Sequence, residues 1–550
     1  MLYDVIVVGS GIAGLMSALH AKRAGLSVAV LTKTTPFRSS SAVASGGINA
    51  VFGADDSIQS HIDDTLAGGD GLAHRVSVSQ MCTEAPSIIE ELLEIGVEFA
   101  ANEDGTPKQR PFGGASKVRT CYSADKTGAA ITQKLFGACR EAGVEIFANH
   151  MLLSIAKYKE QLSGVVVLKR SNSHVIAMAC KSLILAGGGY AGIYRGHTTN
   201  APESSGDMLA IAHRAGLVLS NLEFMQFHPT TLSHGGTLIS EAARGEGGYI
   251  VDERGERFVD ELQTRDKLSR AILLHMKAGH KVYLDLRHLG SETIDEKLPS
   301  TKKTALSAAG VYIATELLEI TPAAHYSIGG IWTREDTSTS MAHVFACGEC
   351  AANGVHGANR LGGNSLLEAA YFGKVAGQEA ARSAKKREFA PIDYAYVEKE
   401  MRKVELIIGG ESLFNINAMR KNLGEELFRD AGVFRTEESL SNALEYIHYL
   451  MQKQYGLHCV SKEYGNNVEL AAILEFKNAL LVAEMAVMCA LKRKESRGVH
   501  YREDYPQKDE QHFGRSSYVS PYGSDYFDVT FGEVHQGGLW DAIKRFFRLG

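Results

Sequence analysis

Three arginines and two histidines stand beside chain punctuation in a way that invites a ligand. His228 precedes Pro229 and His325 precedes Tyr326 in glycine- or turn-bordered stretches, while Arg244, Arg265 and Arg360 lie near similar breaks. A small dicarboxylate needs two separate cationic clamps. Arginine suits each, because its planar fork meets a carboxylate through two parallel hydrogen bonds. Taken singly, each side chain reads equally well as a surface arginine or a satisfied core histidine. As a set they point to a diacid site, provided the fold brings them together.

A second chemistry-bearing pattern opens the chain. Gly9-Ser10-Gly11-Ile12-Ala13-Gly14 fits G-x-G-x-x-G. Such glycines let backbone approach a pyrophosphate, and the helix that follows offers free N–H groups and the positive end of its dipole. The usual acid at the end of the second strand, which would meet a ribose 2′-hydroxyl, is replaced by Thr32 and Lys33, so ribose recognition must differ from the NAD pattern. Cys347-Gly348-Glu349-Cys350 matches C-x-x-C, but no second pair completes a four-ligand metal site. The two cysteines are therefore expected to be packing residues at a strand end, with Gly348 and Glu349 placed to meet a nucleotide hydroxyl. No metal site is expected.

These residues need elements to hold them. Residues 3–8 read as a buried strand, 12–24 as a helix and 27–31 as a second strand, the opening of a βαβ unit. Short β-rich runs over 161–185 end at Ala186-Gly187-Gly188-Gly189, where a strand should hand over to a tight turn. A mixed region over 231–330 contains a helix near 266–278. Residues 341–385 return to strand, turn and helix, with Ser365-Leu366-Leu367-Glu368 matching a capping box. Beyond 385 the apolar spacing is helical as far as Arg493, and the remainder reads as polar and turn-rich. It closes on a basic amphipathic helix over 539–547.

Composition bounds the class. A chain of 550 residues is too long for one core, so about two to four domains are expected. The 58 Lys+Arg against 64 Asp+Glu leave a formal charge of -6, which argues against a general nucleic-acid binder. The 56 glycines beside only 11 prolines imply many close backbone approaches rather than linkers. Eight scattered cysteines form no disulfide framework, and the N-terminus runs into a strand without a leader, so a reduced cytoplasmic setting is expected. The apolar stretch over 479–491 is too short to span a bilayer and carries Glu484, which favours a buried helix.

The ordered motifs resemble a known family. They comprise residues 38–49, Phe112-Gly113-Gly114, Ala124-Asp125-Lys126-Thr127-Gly128, Gln226-Phe227-His228-Pro229-Thr230, Ser240-Glu241 with Arg244-Gly245-Glu246-Gly247-Gly248, Thr264-Arg265-Asp266-Lys267, residues 283–290, His325-Tyr326-Ser327-Ile328-Gly329-Gly330 and His356-Gly357-Ala358-Asn359-Arg360-Leu361. Together they resemble the flavoprotein subunits of fumarate reductase and succinate dehydrogenase, from residue 3 to about 506. The resemblance implies an α/β fold with a discontinuous Rossmann-like FAD-binding domain over 1–230 and 331–385. An α+β capping domain over 231–330, a helical domain over 386–495 and a small C-terminal domain over 496–550 would complete it.

By the same resemblance the chain interconverts fumarate and succinate by hydride transfer at FAD N5. His228, Ser240, His325 and Arg360 would hold the carboxylates, Ser240 replacing the usual threonine. Arg265 would be the proton donor, reloaded through Glu241 and Arg244. Arginine is a poor acid in water, with a pKa above about 12, and a desolvated guanidinium among other cations becomes a workable one. FAD would be held by Gly9, Ser10, Gly11, Ala13, Gly14, Thr32, Lys33, Ser39, Ser40, Gly46, Gly47, Ala186, Gly187, Asp207, Glu349, Arg360, Ser365 and Leu366. The helix beginning near Ser365 would aim its positive end at the flavin.

One position departs from the family. Ser40 stands where membrane-complex members carry the histidine that bonds covalently to FAD, so noncovalent FAD is expected, and the absence of that link favours fumarate reduction or a soluble relative. L-aspartate oxidase shares the fold and most carboxylate-binding positions and is the alternative, although residues 112–114, 124–128 and 283–288 look like the fumarate and succinate branch. A non-catalytic flavoprotein is disfavoured, since no carried-over position has lost its chemistry. The chain has no iron–sulfur cysteine pattern, so a separate iron–sulfur subunit is expected, with a membrane-anchored quinone subunit or a thiol-reactive one beyond it. Partner subunits would place the chain at the inner face of the membrane. The terminal basic helix would dock a partner or a membrane, or end in solvent.

Overall fold

The computed structural model describes residues 1–523 and 525–532. The apolar run at the start of the chain forms β1 (Leu2–Val8), fully inside a seven-stranded sheet. β1 pairs in parallel with β2 (Val28–Thr32) on one side and with His174–Leu185 on the other. Glu145–Ala148 extends the parallel part beyond β2, while Gln161–Lys169 and His150–Tyr158 add an antiparallel edge. Between β1 and β2 runs α1 (Ile12–Arg23), buried along almost all of its first two turns. It lies between the sheet and a long later helix, and glycine makes that contact possible. A Cβ on Gly373 or Gly377 would sit 2.6 Å from Ala13 O or 2.3 Å from Ser17 O.

A separate four-stranded antiparallel sheet is built from β3 (Met225–Leu232), β4 (Leu318–Ser327), Val282–Asp285 and Tyr249–Asp252. Helix α2 (Arg265–Lys277) packs on it around a small core of its own that includes Leu268, Ile272, Leu284 and Leu298. β3 runs across the expected 230/231 boundary. After β4 the chain returns to the first sheet, where Val344–Ala346 pairs in parallel with His174–Leu185, and continues into α3 (Asn364–Ala384). Ala395–Gly409, Ile416–Asp430, Glu437–Lys453 and Val468–Lys492 then form helices whose core is continuous with that of the first sheet.

The C-terminal stretch corrects one reading. Where the sequence reads as turns, Ser517–Pro521 pairs with Leu219–Ser220 on one side and with Phe527–Phe531 on the other, at the edge of a five-stranded sheet. These strands are short, and Ser517 and Ser520 are buried alongside Val519 and Val529, so their apolar alternation is weak. The 539–547 segment lies outside the described residues. Among the described residues no helix is long and apolar enough to cross a membrane. All eight cysteines are free and buried, and Cys350 Sγ contacts the backbone oxygens of Leu185 and Cys347, as expected of packing residues.

Candidate active site

One cleft runs along the ends of β1, β2 and His174–Leu185. Gly9, Ser10, Gly11 and Ala13 line it at the start of α1, and Ala186 and Gly187 line it beyond the neighbouring strand. Ser365 and Leu366 contribute from the first turn of α3. At both helix N-termini there glycine, Gly11 or Gly363, occupies the N-cap position and supplies no side-chain acceptor, although Ser41 Oγ accepts from Ile12 N at 3.3 Å. Two such ends on one cleft suit an anionic dinucleotide. Gly9 has a φ of +119°, and a Cβ on it would lie 2.1 Å from Ala186 O, so the turn needs glycine. Gly14, Gly46 and Gly47 do not line the cleft; a Cβ on Gly14 would clash with Gly9 O, and one on Gly46 would press on the Phe112 ring.

The cap box expected at Ser365 does not form. α3 begins at Asn364, and Glu368 turns inward to accept from Asn353 Nδ2 at 2.8 Å and from Tyr326 Oη at 3.3 Å. Lys33, which follows β2 where the usual acid would stand, is held by two acids. Its ammonium pairs with Asp207 at 2.5 Å and Glu475 at 3.0 Å, while Asn478 Nδ2 donates to the other Asp207 oxygen at 2.8 Å. Thr32 takes a hydrogen bond from Ser10 Oγ at 3.1 Å. Ser39 caps a short turn by accepting from Ala42 N, and Ser40 Oγ donates to Asn200 Oδ1 at 2.8 Å. Glu349 accepts from Ser327 N and Oγ at the cleft wall, and burial raises its carboxyl above the usual range.

At one end of the cleft, marked by His325 and Tyr326, the dispersed arginines and histidines meet. Arg265, the first residue of α2, donates to Glu241 Oε2 from Nε at 2.9 Å and from Nη2 at 2.5 Å. Arg244 stands on the far side, its Nη2 3.6 Å from Glu241 Oε1. Gln226 joins this pair to Arg360, because its Oε1 accepts from Arg265 Nη1 and Arg360 Nη2, each at 3.1 Å. Arg360 lies 4.2 Å above the Tyr326 ring. The His228 and His325 rings are 4.9 Å apart. Ser240 is reached through Ile239, whose backbone is bonded to Thr230 beside His228.

Both histidines lie within paired strands rather than beside turns. β3 and β4 are in register at Phe227↔Ala324 and at Gln226↔Tyr326, which leaves His325 as the extra residue of a β-bulge. The bulge turns the His325 ring toward His228, as bulges beside active sites commonly re-aim a side chain.

The electrostatics follow from burying so many ions together. Burial opposes ionisation of Glu241, yet Arg265 and Arg244 outweigh it and hold its carboxyl at about 2. Burial and then the Arg265 charge lower Arg360 to about 9. Burial, with Arg265 next, also pushes His228 and His325 well below the usual imidazole range, so both are neutral near pH 7. Arg360 Nε and Arg244 Nε and Nη2 are buried without a hydrogen-bond partner among the described residues. Buried unpaired donors are costly, and a carboxylate placed against Arg360 would satisfy its Nε.

Residues 4–366 match the FAD binding domain family and residues 420–544 match the fumarate reductase flavoprotein C-terminal family. The 8-methylmenaquinol:fumarate reductase flavoprotein subunit of Wolinella succinogenes is 38% identical over 541 residues, covering 94% of this chain and 88% of that one. The mitochondrial succinate dehydrogenase [ubiquinone] flavoprotein subunit of Oryza sativa is 33% identical over 580 residues, covering 99% and 92%. The chain belongs to the fumarate reductase and succinate dehydrogenase flavoprotein family. A solved structure of E. coli quinol fumarate reductase with a point mutation overlays the flavoprotein with a TM-score of 0.92 at 29% identity, covering 97% of each chain.

Several side chains of the flavoprotein's site carry no role in the sequence reading. Gln226 is one, although it lies two residues before His228 on the same strand and therefore on the same face. Asn359 and Asp266 are others. Asn359 accepts from Gln226 Nε2 at 2.9 Å and donates to Asp266 at 3.0 Å.

Glu368, read from the sequence only as a capping acid, has a measurable consequence once it turns inward. Burial lifts its carboxyl to about 8. The folded flavoprotein then holds a proton that the unfolded chain releases near the ordinary carboxylate range. Stability from that proton is fully present below the ordinary range and is lost as pH rises toward about 8. In E368Q the stability should gain on the parent from about pH 5 to about pH 8 and then level off, by roughly 4 kcal/mol in all at about 1.4 kcal/mol per unit. Thermal denaturation across that range checks it, and a pH-independent difference would discount the buried carboxyl.

Proposed function

We propose that the flavoprotein interconverts fumarate and succinate, with fumarate reduction its favoured direction. The observation that carries this reading is the Arg265–Glu241 pair joined through Gln226 to Arg360, beside the His228–His325 pair and at the end of the dinucleotide cleft. His228, Ser240, His325 and Arg360 hold the two carboxylates. Bound FAD supplies the hydride donor or acceptor. Arg360 stabilises the charge that gathers on one carboxylate as the alkene is reduced. Arg265 delivers the proton to the other carbon, and Glu241 with Arg244 behind it returns a proton to Arg265. Residues 231–330 act as a cap, α2 carrying Arg265 at its first turn. Arg360 binds substrate and also lies near the flavin.

The fit of FAD rests on the two helix ends with glycine at the N-cap and on the glycine turn between them. Noncovalent attachment rests on Ser40, whose hydroxyl is held by Asn200 and has no chemistry for a flavin link. Trichloroacetic acid should leave all the flavin in the supernatant; flavin in the pellet would refute this. The relatives are named as flavoprotein subunits, and a separate iron–sulfur subunit is the electron partner expected here. It would carry electrons to or from a quinone or thiol couple, peripherally at the inner membrane face. Purified holoprotein should oxidise reduced viologen with fumarate and should not oxidise aspartate. The opposite pattern would make it an aspartate oxidase.

A further inference from the structure

We propose that Thr199 and Asn200 are positioning residues that hold His325 as the neutral tautomer donating from Nε2 to a substrate carboxylate. This rests on the reading of His325 as a substrate ligand. The argument begins with the bulge. His325 is the unpaired extra residue of β4, so its carbonyl and its ring both need partners outside the ladder. The 198–200 segment supplies them. Asn200 Nδ2 donates to His325 O at 2.7 Å, and Thr199 Oγ1 lies 2.7 Å from His325 Nδ1.

The segment is itself tied down. Thr199 N donates to Ala324 O at 2.9 Å, Thr198 Oγ1 donates to the same oxygen at 3.1 Å, and Thr198 Oγ1 also accepts from Asn200 N at 3.1 Å. Asn200 Oδ1 accepts from Ser40 Oγ at 2.8 Å. The clasp thus runs from the flavin-linking position of the family to the imidazole.

The tautomer follows from donor counting. Among the described residues the Thr199 hydroxyl has one hydrogen-bond partner, His325 Nδ1. The arrangement that uses its proton is Oγ–H donating to Nδ1, which leaves the ring proton on Nε2. Nε2 has no hydrogen bond with the described residues, and His325 lines the cleft. A neutral Nε2–H there is a directed donor to a carboxylate. If Nδ1 carried the proton instead, a lone pair would face the anion. Burial of His325, which keeps it neutral, is consistent with this.

The test uses full-length holoprotein, T199V, T199S and N200A, with flavin content confirming that each is loaded. Two constants are read: KM for fumarate, and the Kd of malonate, a non-reacting dicarboxylate, from the flavin absorbance change. T199V keeps the shape but removes the donor. Both constants should rise about 10- to 100-fold, the size of one hydrogen bond to a charge, with kcat falling less than KM rises. T199S should restore both, and N200A should move both in the same direction as T199V. Parent-like constants in T199V, a loss confined to kcat, or failure of T199S to restore them overturns the assignment. If the parent neither reduces fumarate nor binds malonate, the functional reading itself fails, and the positioning role with it.

Discussion

Arg265→Ala is expected to lower kcat for fumarate reduction about 10³-fold or more while the protein keeps its FAD, since a positioned acid typically contributes about 10²- to 10⁴-fold. Arg265 stands apart from the cleft lining, so flavin absorbance per chain should be unchanged. What is lost is specific. The guanidinium spends Nε and Nη2 on Glu241 and Nη1 on Gln226, which fixes the fork between Glu241 and β3. Alanine leaves Glu241 buried with Arg244 at 3.6 Å as its nearest cation, a broken pair of the kind that costs about 3–5 kcal/mol of stability. Lysine restores a charge without the planar fork and should recover only a small part of kcat. Viologen oxidation and thermal melting read the two effects separately. Near-parent turnover in R265A would remove Arg265 from the chemistry.

The parts legible in the sequence and the parts that were not divide along a physical line. β1, α1 and β2 were readable because one buried strand, one glycine turn and one helix follow each other within a few tens of residues, and local pattern decides local structure. The return of Val344–Ala346 to that sheet was foreshadowed only by a strand–turn–helix pattern; the partner strand ends far away, at Leu185. For the site, residue type and motif order named Arg265, Glu241 and Arg360. Their convergence was invisible, because it depends on Gln226 Oε1 accepting from two like charges at once. The His325 bulge is similarly hidden: whether a strand residue is paired or extra depends on the register of a partner about a hundred residues away in the chain, and periodicity carries no mark of it. Ser365 shows the converse failure. Its local sequence satisfied the cap pattern, but Gly363, with a φ of +82°, takes the N-cap position and releases Glu368 to the interior.

Arg360→Met is expected to lower kcat/KM about 10²- to 10⁴-fold with a large part of the loss in KM, because truncating one partner of a buried charged contact costs about 2–5 kcal/mol. Arg360 differs from Arg265 in what it has left to give. One Nη donates to Gln226, the guanidinium rests on Tyr326, and Nε is buried without a partner. That unpaired donor gains a partner when a carboxylate arrives. The same burial makes the clamp titratable. Burial first, and Arg265 second, bring Arg360 to about 9, so the cation is present below that value and disappears above it. Since kcat/KM reports the free enzyme, it should fall on the alkaline side of about 9, approaching tenfold per pH unit. Saturating substrate should move that limb upward, because a bound carboxylate stabilises the charged form. R360M has no such group and should lack the limb altogether. A parent profile that stays flat well past about 9, or an R360M profile with the same alkaline limb, would assign the titration to another residue and take from Arg360 its place as the carboxylate clamp.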